Sequence, residues 1–434
     1  MENRTRNGSC HHSVIEALLL CQRVHPLGIN TNFGGLIVME QKHFLACKET
    51  PVITDSIRYI GVNDKTIDLF ESQYKVPNGV SYNSYVILDE KIAVMDTVDP
   101  RASQTWLANL QQALEGRTPD YLVVSHLEPD HAGTIGQLVS IYPNITLIGN
   151  AKTFAMLPDF FDLGGVAKLT VKEGDTVSLG SHTLQFFMAP MVHWPEVMVT
   201  YEQSSKILFS ADGFGKFGAL DAEEDWVDEA RRYFINIVGK YGGPVQTLLK
   251  KASTLDIQMI CPLHGPILKE DLGYYIGKYL TWSSYQPEEH GVLVAYASIH
   301  GNTGKAAKAF AALLQAQGET QVKVVDLSRD DMAEAVSCAF RYDRMVLAAA
   351  TYDAGLFPPM EQFLLKLKAK TYQNRTVALI ENGAWAPCAA KKMAEYLTGM
   401  KNVTVLPGTV TMKGALKAAT ESKLQELAQQ IYSL

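Results

Sequence analysis

Tyr121-Leu122-Val123-Val124-Ser125-His126-Leu127-Glu128-Pro129-Asp130-His131 is an apolar run that stops abruptly on a cluster of ionisable side chains. The run reads as a buried strand. The cluster therefore falls on a loop at a strand's C-terminal end, where layered α/β proteins place their chemistry. Four potential ligands, His126, Glu128, Asp130 and His131, lie within six residues. Pro129 forces a tight turn that can aim several side chains inward. A solvated acidic loop is the plain alternative, and three further segments weigh against it. Met191-Val192-His193-Trp194-Pro195 follows a strand, and Ser210-Ala211-Asp212-Gly213 and Pro262-Leu263-His264-Gly265-Pro266 each end one. Each sets one ligand beside small or cyclic residues that make sharp turns. Together the four segments read as a metal site.

Strands gather on both sides of this loop. Ile57–Val62, Tyr85–Leu88 and Ile92–Asp96 precede it, with a helix over about Ser103–Leu114. A helix over Thr134–Ile141 and a strand Ile145–Ile148 follow. Further strands are expected at Leu184–Phe187, Val197–Tyr201, Ile207–Ser210 and Ile257–Cys261, with helices near Glu224–Val238, Pro244–Ala252 and Tyr274–Trp282. Mixed strands with flanking helices predict an α/β layered domain. The polar stretch Ser283-Ser284-Tyr285-Gln286-Pro287-Glu288-Glu289 reads as a linker. Beyond it the rhythm is regular: five strands, Gly291–Ala297, Gln321–Asp326, Arg344–Ala350, Thr376–Glu381 and Val403–Leu406, each followed by a helix. That alternation predicts a doubly wound parallel sheet.

The ligand order resembles the metallo-β-lactamase fold, whose usual motif is H-x-H-x-D-H followed by a later His, a bridging Asp and a last His. Here Glu128 stands where the second His is usual. The set becomes four imidazoles (His126, His131, His193, His264) and three carboxylates (Glu128, Asp130, Asp212), with no thiolate. Hard oxygen plus imidazole suits non-haem iron, whereas more nitrogen or thiolate favours zinc. The resemblance makes Asp212 the natural bridge between two metals, and the carboxylate-for-imidazole change makes a hydrolytic site a plausible redox site.

The second domain opens on a strand, then Ser298-Ile299-His300-Gly301-Asn302-Thr303-Gly304, then a helix. Ser298, Asn302 and Thr303 supply hydrogen-bonding side chains, Gly301 allows close backbone approach, and the helix N-terminus favours an anion. Neither a Walker loop nor G-x-G-x-x-G is present, so the loop fits a flavin mononucleotide better than a nucleoside triphosphate or a nicotinamide dinucleotide. Two later loops, Thr351-Tyr352-Asp353-Ala354-Gly355 and Asn382-Gly383-Ala384-Trp385, also end strands. Trp385 is the candidate to cover one flavin face, with an ordinary core Trp as the alternative. Gly383 is read as a point of close approach to the ring.

A lactamase-like domain carrying H-x-E-x-D-H, fused to a flavodoxin-like domain, resembles the flavodiiron protein family (A-type flavoproteins) in its minimal two-domain form. The resemblance runs from about Thr54 to Leu434, and Asn78–Tyr85 also looks familial. It implies an αββα sandwich followed by a flavodoxin-like sheet, FMN and two non-haem iron ions. By motif, His126, Glu128 and His193 would hold one iron, Asp130, His131 and His264 the other, and Asp212 would bridge them. The activity implied is reduction of dioxygen to water or of nitric oxide to nitrous oxide. Also implied are a separate rubredoxin-like electron donor and a head-to-tail homodimer, or a dimer of such dimers. Trp194 and Phe214 would either wall an apolar pocket for a diatomic gas or simply pack.

Composition is compatible with all of this. Of 434 residues, 39 are Lys or Arg and 46 Asp or Glu, a net charge of −7 that argues against nucleic-acid and anionic-membrane partners. The six cysteines, Cys10, Cys21, Cys47, Cys261, Cys338 and Cys388, include no C-x-x-C pair, which disfavours a cysteine-held metal and suggests a reduced, cytoplasmic protein. Residues 1–50 show no period and read as a disordered extension or a start-site artefact, with His11-His12 in a solvated tail. The expected domains are residues 51–285 for the diiron domain and 290–434 for the FMN domain. A zinc hydrolase of the lactamase superfamily, and a flavodoxin-type carrier with an inactive metal domain, are the alternatives.

Overall fold

The computed structural model describes residues 51–434. The predicted N-terminal extension, residues 1–50, lies outside the described residues. The chain divides into two compact units. One comprises residues 51–65, Asn78–Trp226 and Pro244–Leu280; the other comprises Thr66–Pro77, Val227–Gly243 and Thr281–Leu434.

The first unit holds two sheets. In the first, β1 (Ile57–Tyr59), β2 (Tyr85–Ile87), β3 (Ala93–Met95), β4 (Tyr121–Val123), β5 (Thr146–Gly149) and β6 (Ala167–Thr170) lie in that spatial order. β1, β2 and β3 pair antiparallel, and β3 through β6 pair parallel. The second sheet runs β7 (Thr176–Ser178), β8 (Thr183–Met188), β9 (Met198–Glu202), β10 (Ile207–Phe209) and β11 (Met259–Cys261). Its first four strands are antiparallel, and β11 joins β10 in parallel.

The two sheets share one core. Ile57, Tyr85, Ile87, Met95, Val123 and Ile148 of the first sheet meet Leu184, Phe186, Met198, Ile207, Phe209 and Cys261 of the second, all buried. The strand expected at Leu184–Phe187 is β8, where Leu184 and Phe186 are buried and their neighbours are half-buried. With helices such as Ser103–Leu114 and Leu272–Ser283, this is the predicted αββα sandwich. β6 and β7 were not read from the sequence: their residues are mostly exposed and lack an apolar face.

The second unit carries a parallel sheet built from β12 (Glu289–Ala297), β13 (Val322–Asp326), β14 (Tyr342–Tyr352), β15 (Arg375–Asn382) and β16 (Val403–Val405). Their spatial order is β13-β12-β14-β15-β16, all neighbours parallel, and β17 (Val410–Met412) also pairs with β15. This is the flavodoxin-like order. Its direction of winding reverses between the first and third strands of the unit, β12 and β14, where such folds bind ligands. Val292, Val294, Val346, Ala348, Ala378 and Ile380 pack one face against Phe310 and Leu314 of the helix Asn302–Ala316 and Leu424 and Leu427 of the helix Ala418–Tyr432.

Candidate metal centre and flavin-binding loops

All seven predicted metal ligands come together in the first unit, in two groups: His126, Glu128, His193 and Asp212, and Asp130, His131 and His264. The backbone turns that place them are tight. Met191 and Ala211 have φ of 66° and 49°, Phe214 of 67°, and Gly265 of 76°. Such left-handed turns at non-glycine residues are held only where the surroundings enforce them. Pro129 starts a short helical turn, Pro129–Ala132, that puts Asp130 and His131 on the buried side.

Within the first group, Glu128 Oε2 is 3.2 Å from His126 Nε2 and 3.1 Å from His193 Nε2. Asp212 Oδ2 is 3.5 Å and 3.1 Å from the same two nitrogens. In the second group, Asp130 Oδ2 is 3.3 Å from His131 Nε2 and 3.2 Å from His264 Nε2, and those nitrogens are 3.0 Å apart. Asp212 Oδ1 is 3.1 Å from His131 Nε2 and 3.9 Å from His264 Nε2. Asp212 therefore turns one oxygen to each group. Donors bonded to one ion at about 2.0–2.2 Å stand roughly 3.0–3.6 Å apart, so the spacing fits a metal in each group.

Charge and hydrogen bonding give the same answer. Both carboxylate oxygens of Asp130 and of Asp212, and His131 Nδ1, are buried without a well-aligned hydrogen bond. Buried carboxylates in that condition are costly unless cations face them. Burial disfavours a charged His126, yet Glu128, Glu196 and Asp212 outweigh it and hold its pKa well above the usual value. Burial also works against a charged His193, but Asp212 and Glu128 raise it to about 9. Burial alone would raise Glu128; His126 and His193 instead lower it to about 2. The carboxylates thus demand positive charge at the nitrogens, which two divalent ions supply.

Three supporting groups escaped the sequence reading. Glu196, fully buried, accepts from His126 Nδ1 at 2.8 Å and from the Leu127 N–H at 2.9 Å. The Ser81 carbonyl accepts from His264 Nδ1 at 2.7 Å, which gives the Asn78–Tyr85 segment a role. Asp96 accepts from the Ser125 N–H at 2.7 Å and anchors the turn into His126. The acid three residues after His193 was the available signal for Glu196. A backbone carbonyl leaves no signal in sequence. Trp194 lies edge-on to His126, ring centroids 5.2 Å apart. Phe214 instead stacks on Tyr279 at 4.3 Å.

In the second unit, Ser298 directly follows β12, its Oγ buried and without a hydrogen-bond partner. Gly301 caps the helix Asn302–Ala316 with φ 84°, and a Cβ there would meet nothing within 4 Å. Thr303 is buried in the helix's first turn, while Ile299, His300 and Asn302 line the more open side of the loop. An orphaned hydroxyl, an open glycine and a helix N-terminus fit a phosphate. Thr351 Oγ1 accepts from the N–H groups of Cys388 and Ala389, so it caps the helix Ala389–Leu397. Asn382 exchanges hydrogen bonds with the Gly414 backbone.

The remaining loop residues are open. Tyr352, Asp353 and Ala384 are exposed, Gly355 is half-buried, and Trp385 is 83% exposed. Trp385 is therefore not the core Trp of the alternative reading. At Gly383 the space a Cβ would need is taken by Pro387, at 3.0 Å, and Thr351, at 3.3 Å. The glycine is required by the loop's own closure.

Two family models match the chain: ODP family beta lactamase over residues 80–265 and flavodoxin over residues 294–428. The chain is 27% identical over 358 residues to the anaerobic nitric oxide reductase flavorubredoxin of Vibrio vulnificus, covering 80% of this chain and 72% of that one. The structure of rubredoxin oxygen:oxidoreductase from Desulfovibrio gigas matches with a TM-score of 0.82 at 26% identity, over 89% of this chain and 98% of that one. The flavodiiron protein from Giardia intestinalis shares the fold, with a TM-score of 0.79 at 22% identity over 89% of this chain and 97% of that one. Matched in the same order by a lactamase-type and a flavodoxin domain, and carrying a seven-ligand cluster fit for two metals, the chain belongs to the flavodiiron protein family.

Proposed function

We propose that this protein reduces dioxygen to water, nitric oxide to nitrous oxide, or both, at a non-haem diiron centre fed by FMN. The observation that carries this is Asp212 between two histidine pairs, with Glu128 completing the first group as an oxygen donor. In this reading residues 51–285 form the diiron domain and 290–434 the FMN domain. His126, Glu128 and His193 hold one iron, Asp130, His131 and His264 the other. Ser298, the Gly301 loop and Thr303 hold the flavin phosphate. When bound, the diferrous pair would supply two electrons and reduced FMN two more. Dioxygen needs four electrons and four protons to become two waters; two nitric oxides need two of each to become nitrous oxide and water. The test is anaerobic reduction of the holoprotein followed by rapid mixing with either gas: reoxidation of flavin without hydrogen peroxide release is expected. Stoichiometric peroxide, or no reaction with either gas, would contradict the reading.

The electron donor we infer is a separate rubredoxin-like protein, in line with the name of the Desulfovibrio relative. Among the described residues no helix is long and apolar enough to cross a membrane. We place the protein in the cytoplasm.

Trp385 is assigned to the flavin ring. Trp385→Ala is expected to weaken FMN binding by about tenfold, from the roughly 0.5–1.5 kcal/mol of an aromatic stack plus lost apolar contact. Fluorescence titration of the flavin-free protein checks it; unchanged affinity would return Trp385 to the bare surface.

Assembly is read as a head-to-tail, two-fold homodimer in which one subunit's flavin serves its partner's irons. A metal-free variant, His126→Ala with His131→Ala, and a flavin-free variant, Gly301→Asp, should each be inactive alone. In a random mixture about half the dimers are mixed and each has one intact flavin–iron pair, so about a quarter of normal activity should return. Mixed dimers, confirmed by differently tagged subunits, that remain inactive would place transfer within one chain.

A further inference from the structure

The two metal positions are backed unequally. His126 Nδ1 donates to Glu196 Oε1 at 2.8 Å, and both residues are fully buried. Glu196 is held in place twice: it accepts the Leu127 N–H at 2.9 Å, and its own carbonyl accepts from Asn150 Nδ2 at 2.6 Å. Asn150 is fixed in turn, its Oδ1 accepting from the N–H groups of Lys152 and Thr153 at the start of the helix Ala151–Met156. In the other group, His264 Nδ1 donates to the neutral Ser81 carbonyl at 2.7 Å. His131 Nδ1 is buried with no hydrogen-bond partner. A carboxylate behind a ligating imidazole fixes its orientation, raises its basicity and favours a more positive ion; a carbonyl does less of this.

We propose that Glu196 is a positioning residue that makes the two metals inequivalent. The position held by His126, Glu128 and His193 keeps its ion longer and, with iron, has the lower reduction potential. This rests on the binuclear metal reading above. It follows from what stands behind the ligating imidazoles: the Glu196 carboxylate behind His126, a neutral carbonyl behind His264 and no hydrogen-bond partner behind His131.

The test uses the full chain with FMN, loaded anaerobically with ferrous iron and challenged with ferrozine. Wild type should release its two ions in two phases. Glu196→Gln, which keeps shape and removes charge, should speed the slow phase about 10–100-fold and leave the fast phase unchanged. Glu196→Asp should recover part of the difference. In a potentiometric titration the lower of the two iron potentials should rise in Glu196→Gln by about 60–120 mV, the same factor at 59 mV per tenfold for one electron. FMN content and the thermal midpoint of each variant report folding. Release of both ions in one phase from wild type, or an unchanged slow phase and potential in a folded Glu196→Gln protein, would overturn the proposal. Repeating the release with zinc separates the two readings. Two zinc phases, where the iron-loaded protein reduces neither gas, would defeat the functional reading alone, and one zinc phase, where the iron-loaded protein does reduce gas, would defeat the inequivalence alone.

Discussion

Asp212→Ala is expected to yield a folded protein that keeps FMN and loses both metals, with gas reduction falling at least a hundredfold. Asp212 is fully buried, in the turn just beyond β10, and turns one oxygen toward His126 and His193 and the other toward His131 and His264. Burial alone would raise its pKa, yet His131, His193 and His126 hold it well below the ordinary carboxylate value. It is thus an anion shared by both groups. Opposite unit charges about 4 Å apart at an effective dielectric near 20 attract by about 4 kcal/mol. A divalent ion in each group would feel more than this, so even a heavily discounted loss exceeds a hundredfold in affinity. Removing the bridge also leaves two dications facing each other unscreened. The small side chain fits beside Gly213, so the turn itself should survive. Metal analysis after gel filtration reads the outcome; a variant that still held two tightly bound ions would refute the bridging role.

Gly301→Asp should produce the converse protein, with two metals and little or no FMN. Gly301 occupies the N-cap of the helix Asn302–Ala316 in a left-handed conformation, and nothing lies within 4 Å of where its Cβ would be. Aspartate is well suited to N-caps and is among the residues that tolerate this backbone region, so the helix should hold. The new carboxylate would stand where the phosphate must bind. At 4 Å and the same effective dielectric, repulsion of about 4 kcal/mol per unit charge weakens binding roughly a thousandfold. Flavin absorbance per chain and iron per chain, measured on one sample, decide it. Normal flavin content would move the phosphate away from this loop. Release of the adenine dinucleotide form would show that the loop serves a different cofactor.

The metal cluster was legible because its ligands sit at strand ends. A buried β-strand such as Tyr121–Val123 announces itself by apolar side chains, and the residues after it inherit a position. His193, Asp212 and His264 were located by the same logic. Glu196 was not, because its partner is the far nitrogen of His126, seventy residues away in sequence. The second domain's topology was legible from its regular alternation, while β6 and β7 stayed hidden because exposed polar strands carry no pattern. Gly383 shows another limit. A Cβ there would meet Pro387 and Thr351, a packing constraint that only the folded loop reveals. The interleaving of Thr66–Pro77 and Val227–Gly243 into the second unit likewise depends on long-range contacts.

Exchange of the usual imidazole for the Glu128 carboxylate makes this lactamase-type site an iron site. Metal analysis of protein purified from cells supplied with ample iron and zinc tests it directly. About two irons per chain and little zinc are expected. Two zinc ions per chain, with iron absent, would contradict it.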